Sequence, residues 1–275
     1  MNKISLKTRL FIFLRVLIFK FLYKFKYKLT KCIDEKILIN FLYSLRPYQT
    51  NHELIRLGEE GDGGYLIPND LIGIDACLSA GVGGLIGFEH DLAQKGIDCY
   101  MADYSVEKLP ITHERFKFEK KFIGTKNNNI YIKIDDWLSK ITKVSKDYIL
   151  KIDIEHDEYK ILPIIKSEDL KKMRIIVLEV HGFNNIITPL GYDLMKLIFD
   201  KLQENHTIVH INPNNVSPPI KLSKKIELYD LLEITLLRND RIIQKKENLT
   251  FPHYLDSKHS NIYKNELPKC FYKKD

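Results

Sequence analysis

The stretch IDACLSAGVGGLIGFEHDLAQKGIDCYMAD, residues 74–103, decides the fold. IDACLS (74–79) is a short apolar run that reads as a buried strand. AGVGG (80–84) is a glycine-rich turn. FEHDLAQKG (88–96) reads as a helix stopped by Gly96. IDCYMAD (97–103) is a second strand. Strand, turn, helix and strand in about thirty residues make one βαβ unit, which implies parallel strands with a right-handed crossover.

Further along, the alternation continues. FKFEKKFI (116–123) reads as a third strand, residues 135–143 as a helix, and YILKIDIE (148–155) and RIIVLEV (174–180) as strong strands. A helix over 189–204 precedes TIVHIN (207–212), and LLEITLLR (231–238) closes the series. Strands separated by helices predict a doubly wound α/β sandwich with a mainly parallel sheet covered on both faces. Residues 213–230 read as a loop. Residues 32–60 read as a helical linker ahead of a domain spanning 61–275.

Composition narrows the class. The 275 residues are 44% hydrophobic and 29% charged, enough for a sizeable core, which excludes wholesale disorder. The four cysteines are scattered without a CxxC pair, so neither a disulfide framework nor a zinc knuckle is expected. Net charge is +7, but residues 1–31 alone hold nine Lys/Arg and no acid, leaving 34 basic against 36 acidic side chains in the body. A near-neutral body argues against a nucleic-acid-binding surface.

RLFIFLRVLIFKFLY (9–23) is too often interrupted by cations to be a bilayer span, which needs about 20 predominantly apolar residues. Arg9, Lys20, Lys24, Lys28 and Lys31 share one helical sector. The arm 1–31 is therefore expected to lie on an anionic membrane surface, the alternative being a helix packed on the domain or on a partner.

Three strand ends carry chemistry, because ligands of open α/β sheets bind at the carboxyl ends of strands. The first is the glycine turn. Asp103 ends the neighbouring strand 22 residues after Gly81, where a carboxylate can accept both hydroxyls of a ribose. Ile86 stands where a dinucleotide fingerprint needs its third glycine, so the turn suits an adenosine ligand without a pyrophosphate, such as S-adenosylmethionine. A plain tight turn remains the alternative. The second is YILKIDIEHDEYKIL (148–162), where a buried strand runs into Asp153, Glu155, Asp157 and Glu158. Asp153 and Glu155 need a cation or donors at that depth, whereas Asp157 and Glu158 suit the first turn of a helix. No third metal ligand stands beside them, so no metal is assigned. The third is IIVLEVHGF (175–183), which ends in Glu179 and His181. A histidine there can act as general base, its ordinary pKa being about 6.5.

These segments together resemble the FkbM-like family of S-adenosylmethionine-dependent methyltransferases. LKIDIEHDEYKIL resembles its strand-to-helix motif, and LSAGVGGLIGFEHDLAQKG its cofactor half. IKIDDWL (132–138), GDGGYLIP (61–68) and HINPNN (210–215) resemble further segments, in the expected order. Two positions depart. His156 replaces the usual glycine after Glu155, and Ser79 stands where many methyltransferases place an acid. The resemblance implies a class I methyltransferase fold, S-adenosylmethionine as cofactor and usually O-methylation, often of a sugar hydroxyl. On that basis Gly81, Gly83 and Asp103 hold the cofactor, with Ser79, Tyr104, Ser105 and Asp153 beside it. His181, Asp153 and Glu155 are the catalytic candidates. Asp62, Tyr65, Glu179 and Asn215 are placed on the acceptor side. The expected protein is a cytoplasmic enzyme, peripheral on the inner face of the membrane, acting on a glycan or lipid-linked sugar and not on nucleic acid. A non-catalytic nucleotide- or sugar-binding module and a nucleic-acid methyltransferase using the basic arm as a clamp are the alternatives.

Overall fold

The computed structural model describes residues 5–27, 29–141, 147–247 and 249–273. Residues 1–4 and Lys28 of the arm and residues 142–143 of the expected helix lie outside them.

In chain order the elements are α1 (Leu6–Lys24), α2 (Glu35–Ser44), β1 (Leu54–Leu57), β2 (Tyr65–Pro68), β3 (Ala76–Ala80), α3 (Gly87–Gln94), β4 (Asp98–Ala102), β5 (Phe116–Glu119), β6 (Phe122–Gly124), β7 (Tyr131–Lys133), α4 (Ile134–Ile141), β8 (Tyr148–Ile152), α5 (Glu158–Ile161), α6 (Ser167–Leu170), β9 (Met173–Val180), α7 (Pro189–Gln203), β10 (His206–Pro213), β11 (Ile220–Lys221), β12 (Glu227–Leu228) and β13 (Leu232–Arg238). Seven strands form one sheet in the order β10-β13-β9-β8-β3-β4-β5. β3, β4, β5, β8 and β9 pair in parallel. β13 is inserted antiparallel between β9 and β10. This is the class I methyltransferase fold that the resemblance implies. Its order reverses at β3, so the chain leaves β3 and β8 in a crevice at their carboxyl ends.

The core divides over the two faces of the sheet. Leu78, Leu150, Ile176 and Ile234 point to one side, where α2, α4 and α7 bury Leu42, Trp137 and Phe199. Cys77, Ile149, Ile175 and Val177 point to the other, under Phe88 and Leu92 of α3 and Tyr65 and Ile67 of β2. Alternation along each strand sends successive side chains to opposite layers, so β8 and β9 are buried along their whole length. α7 begins at Thr188, whose hydroxyl accepts from the Gly191 amide, and carries Pro189 in its first turn, the position where a missing N–H is harmless.

Four expectations change. Residues 32–60 are not a linker: α2 buries Leu38, Phe41 and Leu42 in the main core, and β1 pairs with β2. FKFEKKFI is two strands, β5 in the main sheet and β6 paired with β7. The loop 213–230 contains the small hairpin β11–β12. The helix of the arm stops at Lys24, so Lys31 lies beyond it. Along that helix Leu10, Phe11, Phe13, Leu17 and Phe21 are all exposed. No helix among the described residues is long and apolar enough to cross a membrane.

Leu42 is wholly buried. Leu42→Ala should therefore lower unfolding stability by about 2–5 kcal/mol, the usual cost of emptying a core leucine site. Denaturant unfolding read from the fluorescence of the single tryptophan, Trp137, measures it. A loosely attached linker would give no loss.

Candidate active site

The glycine turn after β3 bends over the end of β8. Gly81 has φ 76°, and a Cβ there would lie 1.6 Å from the backbone oxygen of Asp153. Only glycine fits, and the reason is this backbone approach rather than room for a ligand. Gly83 has φ 50° and would place a Cβ in open space; it needs glycine for conformation alone. Asp103 receives the turn. Its Oδ2 accepts from the amides of Val82 (3.0 Å) and Gly83 (2.9 Å), and its Oδ1 from the amide and hydroxyl of Ser105, both at 2.7 Å. Burial alone would raise its pKa, but these donors outweigh it and hold the carboxyl below its ordinary value.

Beneath the turn lies a buried ion network. Lys151, on β8, donates to the Gly81 carbonyl at 2.9 Å and lies 3.8 Å from Glu89 and 3.9 Å from Asp153. Burial alone would lower the ammonium pKa, but Glu89, Asp153 and Glu179 outweigh it and raise it. Ser79 is fully buried and donates to Glu89 at 2.5 Å. It does not face the cavity. The carboxylate beside position 79 is that of Glu89 on α3, which is fully buried and lines neither cavity.

At the ends of β8 and β9 a second group assembles. Tyr65 donates to Glu179 at 3.0 Å and to Asp153 at 3.3 Å. The Nδ1 of His181 is 2.8 Å from the buried Glu158, and its Nε2 lies 3.4 Å from Glu155 and 4.0 Å from both Asp153 and Glu179. Burial raises the Asp153 carboxyl, with Glu155 and Asp62 adding to it. Burial and the charges of Asp153 and Glu233 push Glu179 up to about 8. Burial would lower His181, but Glu158, Glu179 and Glu155 outweigh it and raise it to about 9. An upward shift of this kind disfavours the neutral imidazole that the expected role of His181 as general base requires.

Two cavities open here. One, of about 480 Å³, is lined by Gly81–Gly84, Asp103, Ser105, Phe122, Tyr131 and Lys151 among others. The other, of about 520 Å³, is lined by Glu60, Glu179, His181, Asn214, Lys258 and His259 among others. Asp62, Asp153 and Glu155 border both. Each volume falls in the range of small-molecule sites.

Several expected residues sit elsewhere. Tyr104 is not on the cavity wall; its ring packs 5.5 Å from Phe122, which is. Tyr65 is a buried floor under Asp153 and Glu179 instead of a wall. Asn215 is fully buried and spends its side chain on the backbone of His259, Ser260 and Tyr263; Asn214 faces the second cavity in its place. Sequence reasoning missed Glu89, Lys151 and Glu158. A lysine inside the apolar run YILKI was the one local signal. Glu158 reads as a first-turn helix acid, yet it is 1% exposed and bonded to His181. The departure at His156 has a structural counterpart: Glu155 (φ 51°) and His156 (φ 74°) are both left-handed.

A left-handed residue other than glycine costs about 1–2 kcal/mol, partly offset by the entropy glycine loses on folding. His156→Gly should therefore raise unfolding stability by roughly 0.5–1 kcal/mol, read as a higher thermal midpoint. Gly81→Ala should prevent S-adenosylmethionine binding in calorimetry. Asp103→Ala should weaken that binding by about 1.5–3 kcal/mol, the range for hydrogen bonds to a charged group; an unchanged affinity in a folded variant would exclude Asp103 from the cofactor site.

Among solved structures, the fold is similar to the fibrillarin/Nop5p complex at 14% identity and TM-score 0.37, over 60% of this chain and 73% of that one. It is similar to the fibrillarin pre-rRNA processing protein of Methanococcus jannaschii at 12% identity and TM-score 0.34, over 68% and 83%. It is similar to magnesium protoporphyrin IX methyltransferase of Synechocystis PCC 6803, solved with bound SAH, at 12% identity and TM-score 0.32, over 62% and 76%. No curated protein sequence matches the chain. Residues 71–208, half of the chain and the part that holds the glycine turn, Asp103, Asp153 and His181, match the methyltransferase FkbM domain. The chain belongs to the FkbM methyltransferase family, with S-adenosylmethionine as its cofactor.

Proposed function

We propose that the protein is an O-methyltransferase acting on a sugar hydroxyl of a cell-surface glycan or a lipid-linked precursor. The observation that carries this reading is the shared border of the two cavities. The cavity at the glycine turn offers backbone, Asp103 and the aromatic rings of Phe122 and Tyr131, which suits an adenosine ligand. The other is lined by carboxylates, imidazoles, Asn214 and Lys258, donors and acceptors that suit a polyhydroxylated ligand. Asp62, Asp153 and Glu155 stand where the two ligands would meet.

S-adenosylmethionine supplies an electrophilic methyl carbon on a positively charged sulfur. The chain's part is alignment and charge. Asp62 and Asp153 border both cavities, and their carboxylates would favour a cation held between them. The acceptor oxygen forms its bond to the methyl carbon while the carbon–sulfur bond breaks, so one proton must leave the acceptor. Glu155 is the residue for that step. Its side chain is 83% exposed, borders both cavities and can return the proton to water. Holding the two reactants in line supplies much of the rate.

The arm supports a membrane location. Its exposed apolar and aromatic side chains, with Arg15, Lys20 and Lys24 among them, suit an anionic membrane surface, where each cation contributes about 1 kcal/mol. The near-neutral body disfavours the nucleic-acid reading.

Two measurements test the proposal. Methyl-labelled S-adenosylmethionine, incubated with a glycan and lipid-linked sugar fraction, should leave alkali-stable label in a monosaccharide after hydrolysis. Label found only in RNA, or none despite cofactor binding, would refute it. In that assay Glu155→Gln should reduce turnover by about 10²–10⁴-fold, the usual share of a general base, with cofactor affinity unchanged. Separately, full-length protein should pellet with anionic vesicles and be released by high salt or detergent, whereas a variant lacking residues 1–31 should stay folded in the supernatant. Pelleting that survives the deletion would place the membrane contact elsewhere.

A further inference from the structure

We propose that the acceptor cavity holds a divalent cation between Asp153, Glu179 and His181. The inference rests on reading that cavity as the acceptor site and deepens it. One ligand atom from each residue lies within 4.8 Å of the other two. Two donors that reach a cation at about 2.1 Å each can be at most about 4.2 Å apart. The His181 Nε2 lies 4.0 Å from an oxygen of each carboxylate, so a small inward rotation completes the set.

The donors are oriented for this. His181 is nine-tenths buried, its Nδ1 is engaged by Glu158, and its Nε2 points at three carboxylates, 3.4 Å from Glu155 and 4.0 Å from both Asp153 and Glu179. That is the arrangement of a ligand histidine, whose second nitrogen is held by a carboxylate so that the first points at the metal. Glu179 is 5% exposed; Tyr65 engages its Oε2, and its Oε1 faces the cavity without a hydrogen-bond donor among the described residues. Charge argues the same way. Asp62, Asp153, Glu155, Glu158 and Glu179 crowd the site, against Lys151 and His181 among them and Lys258 and His259 on the cavity wall. Burying carboxylates without enough positive charge is costly, and a divalent ion would balance them. The third ligand is separated from Asp153 by a strand and a crossover, which is why the local sequence does not announce it.

Two carboxylates and one imidazole form a mixed oxygen and nitrogen set that suits a transition-metal dication such as Mn²⁺ more than the oxygen-seeking Mg²⁺. The open positions face the cavity, where a pair of neighbouring sugar hydroxyls can complete the coordination. Such an ion would orient the acceptor and ease loss of its proton to Glu155.

The test uses full-length protein treated with a chelator and then titrated with Mn²⁺, free Mn²⁺ being read by electron paramagnetic resonance. Calorimetry with S-adenosylmethionine on the same samples reports whether the cofactor site is intact. The expected result is one Mn²⁺ per chain, with affinity at least tenfold weaker in Asp153→Asn and His181→Ala, and 10–100-fold weaker in Glu158→Gln, the range for losing the partner of a ligand histidine. In wild-type protein Mn²⁺ should broaden the ring resonances of His181 and its neighbour His156 before those of the other histidines, which keeps the test decisive should a variant fail to fold. No uptake at millimolar Mn²⁺, uptake indifferent to His181→Ala, or first broadening at another histidine overturns the metal site. Cofactor binding that persists in that case leaves the methyltransferase reading standing, and its loss in wild type would count against that reading instead.

Discussion

One buried ammonium ties the two halves of the site together. Lys151 rises from the central strand β8, 2% exposed, and its charge is met by the Gly81 carbonyl, Glu89 and Asp153. Its Nζ also lies 5.4 Å from the centre of the Tyr65 ring. Through Glu89 it fixes α3 and Ser79 under the glycine turn. Through Gly81 it sets the path of the turn itself, and through Asp153 and Tyr65 it reaches the second cavity. Removing one partner of such a group leaves a buried charge uncompensated, a loss of about 3–5 kcal/mol. The network therefore specifies geometry more than it adds stability, because an apolar replacement of the whole set can be as stable.

The segment Ile152–Glu158 shows the same trade between function and ease of folding. The strand ends, the chain passes through two left-handed residues, and a short helix begins. The turn brings Asp153, Glu155 and Glu158 round one point: Asp153 under the glycine turn, Glu155 at the shared border, Glu158 behind His181. A glycine at 156 would make this turn with less strain. The His156 ring lies 5.4 Å from that of His181, so the strained residue covers the imidazole from one side. Strain of this kind persists where surrounding packing over-determines the backbone, and here Ile161, Leu162 and Ile165 anchor the following helix in the core.

The second cavity depends on chain far from the motif. Asn215, buried beside β10, holds the segment 259–263 by four hydrogen bonds. That segment and the residue before it present His259 and Lys258 to the cavity. His259 in turn lies 2.9 Å from Glu233 on the reversed strand β13. The second cavity thus joins residues from the ends of β8 and β9 with Asn214, Lys258 and His259 from the carboxyl-terminal part of the chain.

The sequence by itself determined the alternation of strands and helices, the glycine turn, the acids at the strand ends and the cationic arm. These are local patterns, legible because side-chain periodicity and turn chemistry act over a few residues. Asp103, Asp153 and His181 could be singled out because polar groups at the ends of apolar runs stand out in one dimension. The tertiary structure alone decided what each faces. Ser79 and Tyr65 point into the protein, Asn215 braces a distant loop, and α2 is core instead of linker, since burial depends on which segments meet across the sheet. Glu89 and Glu158 read as ordinary helix acids until packing buries them against Lys151 and His181. Whether a carboxylate is a cap, a counter-charge or a ligand is set by its neighbours in space, and those come from strands tens of residues apart.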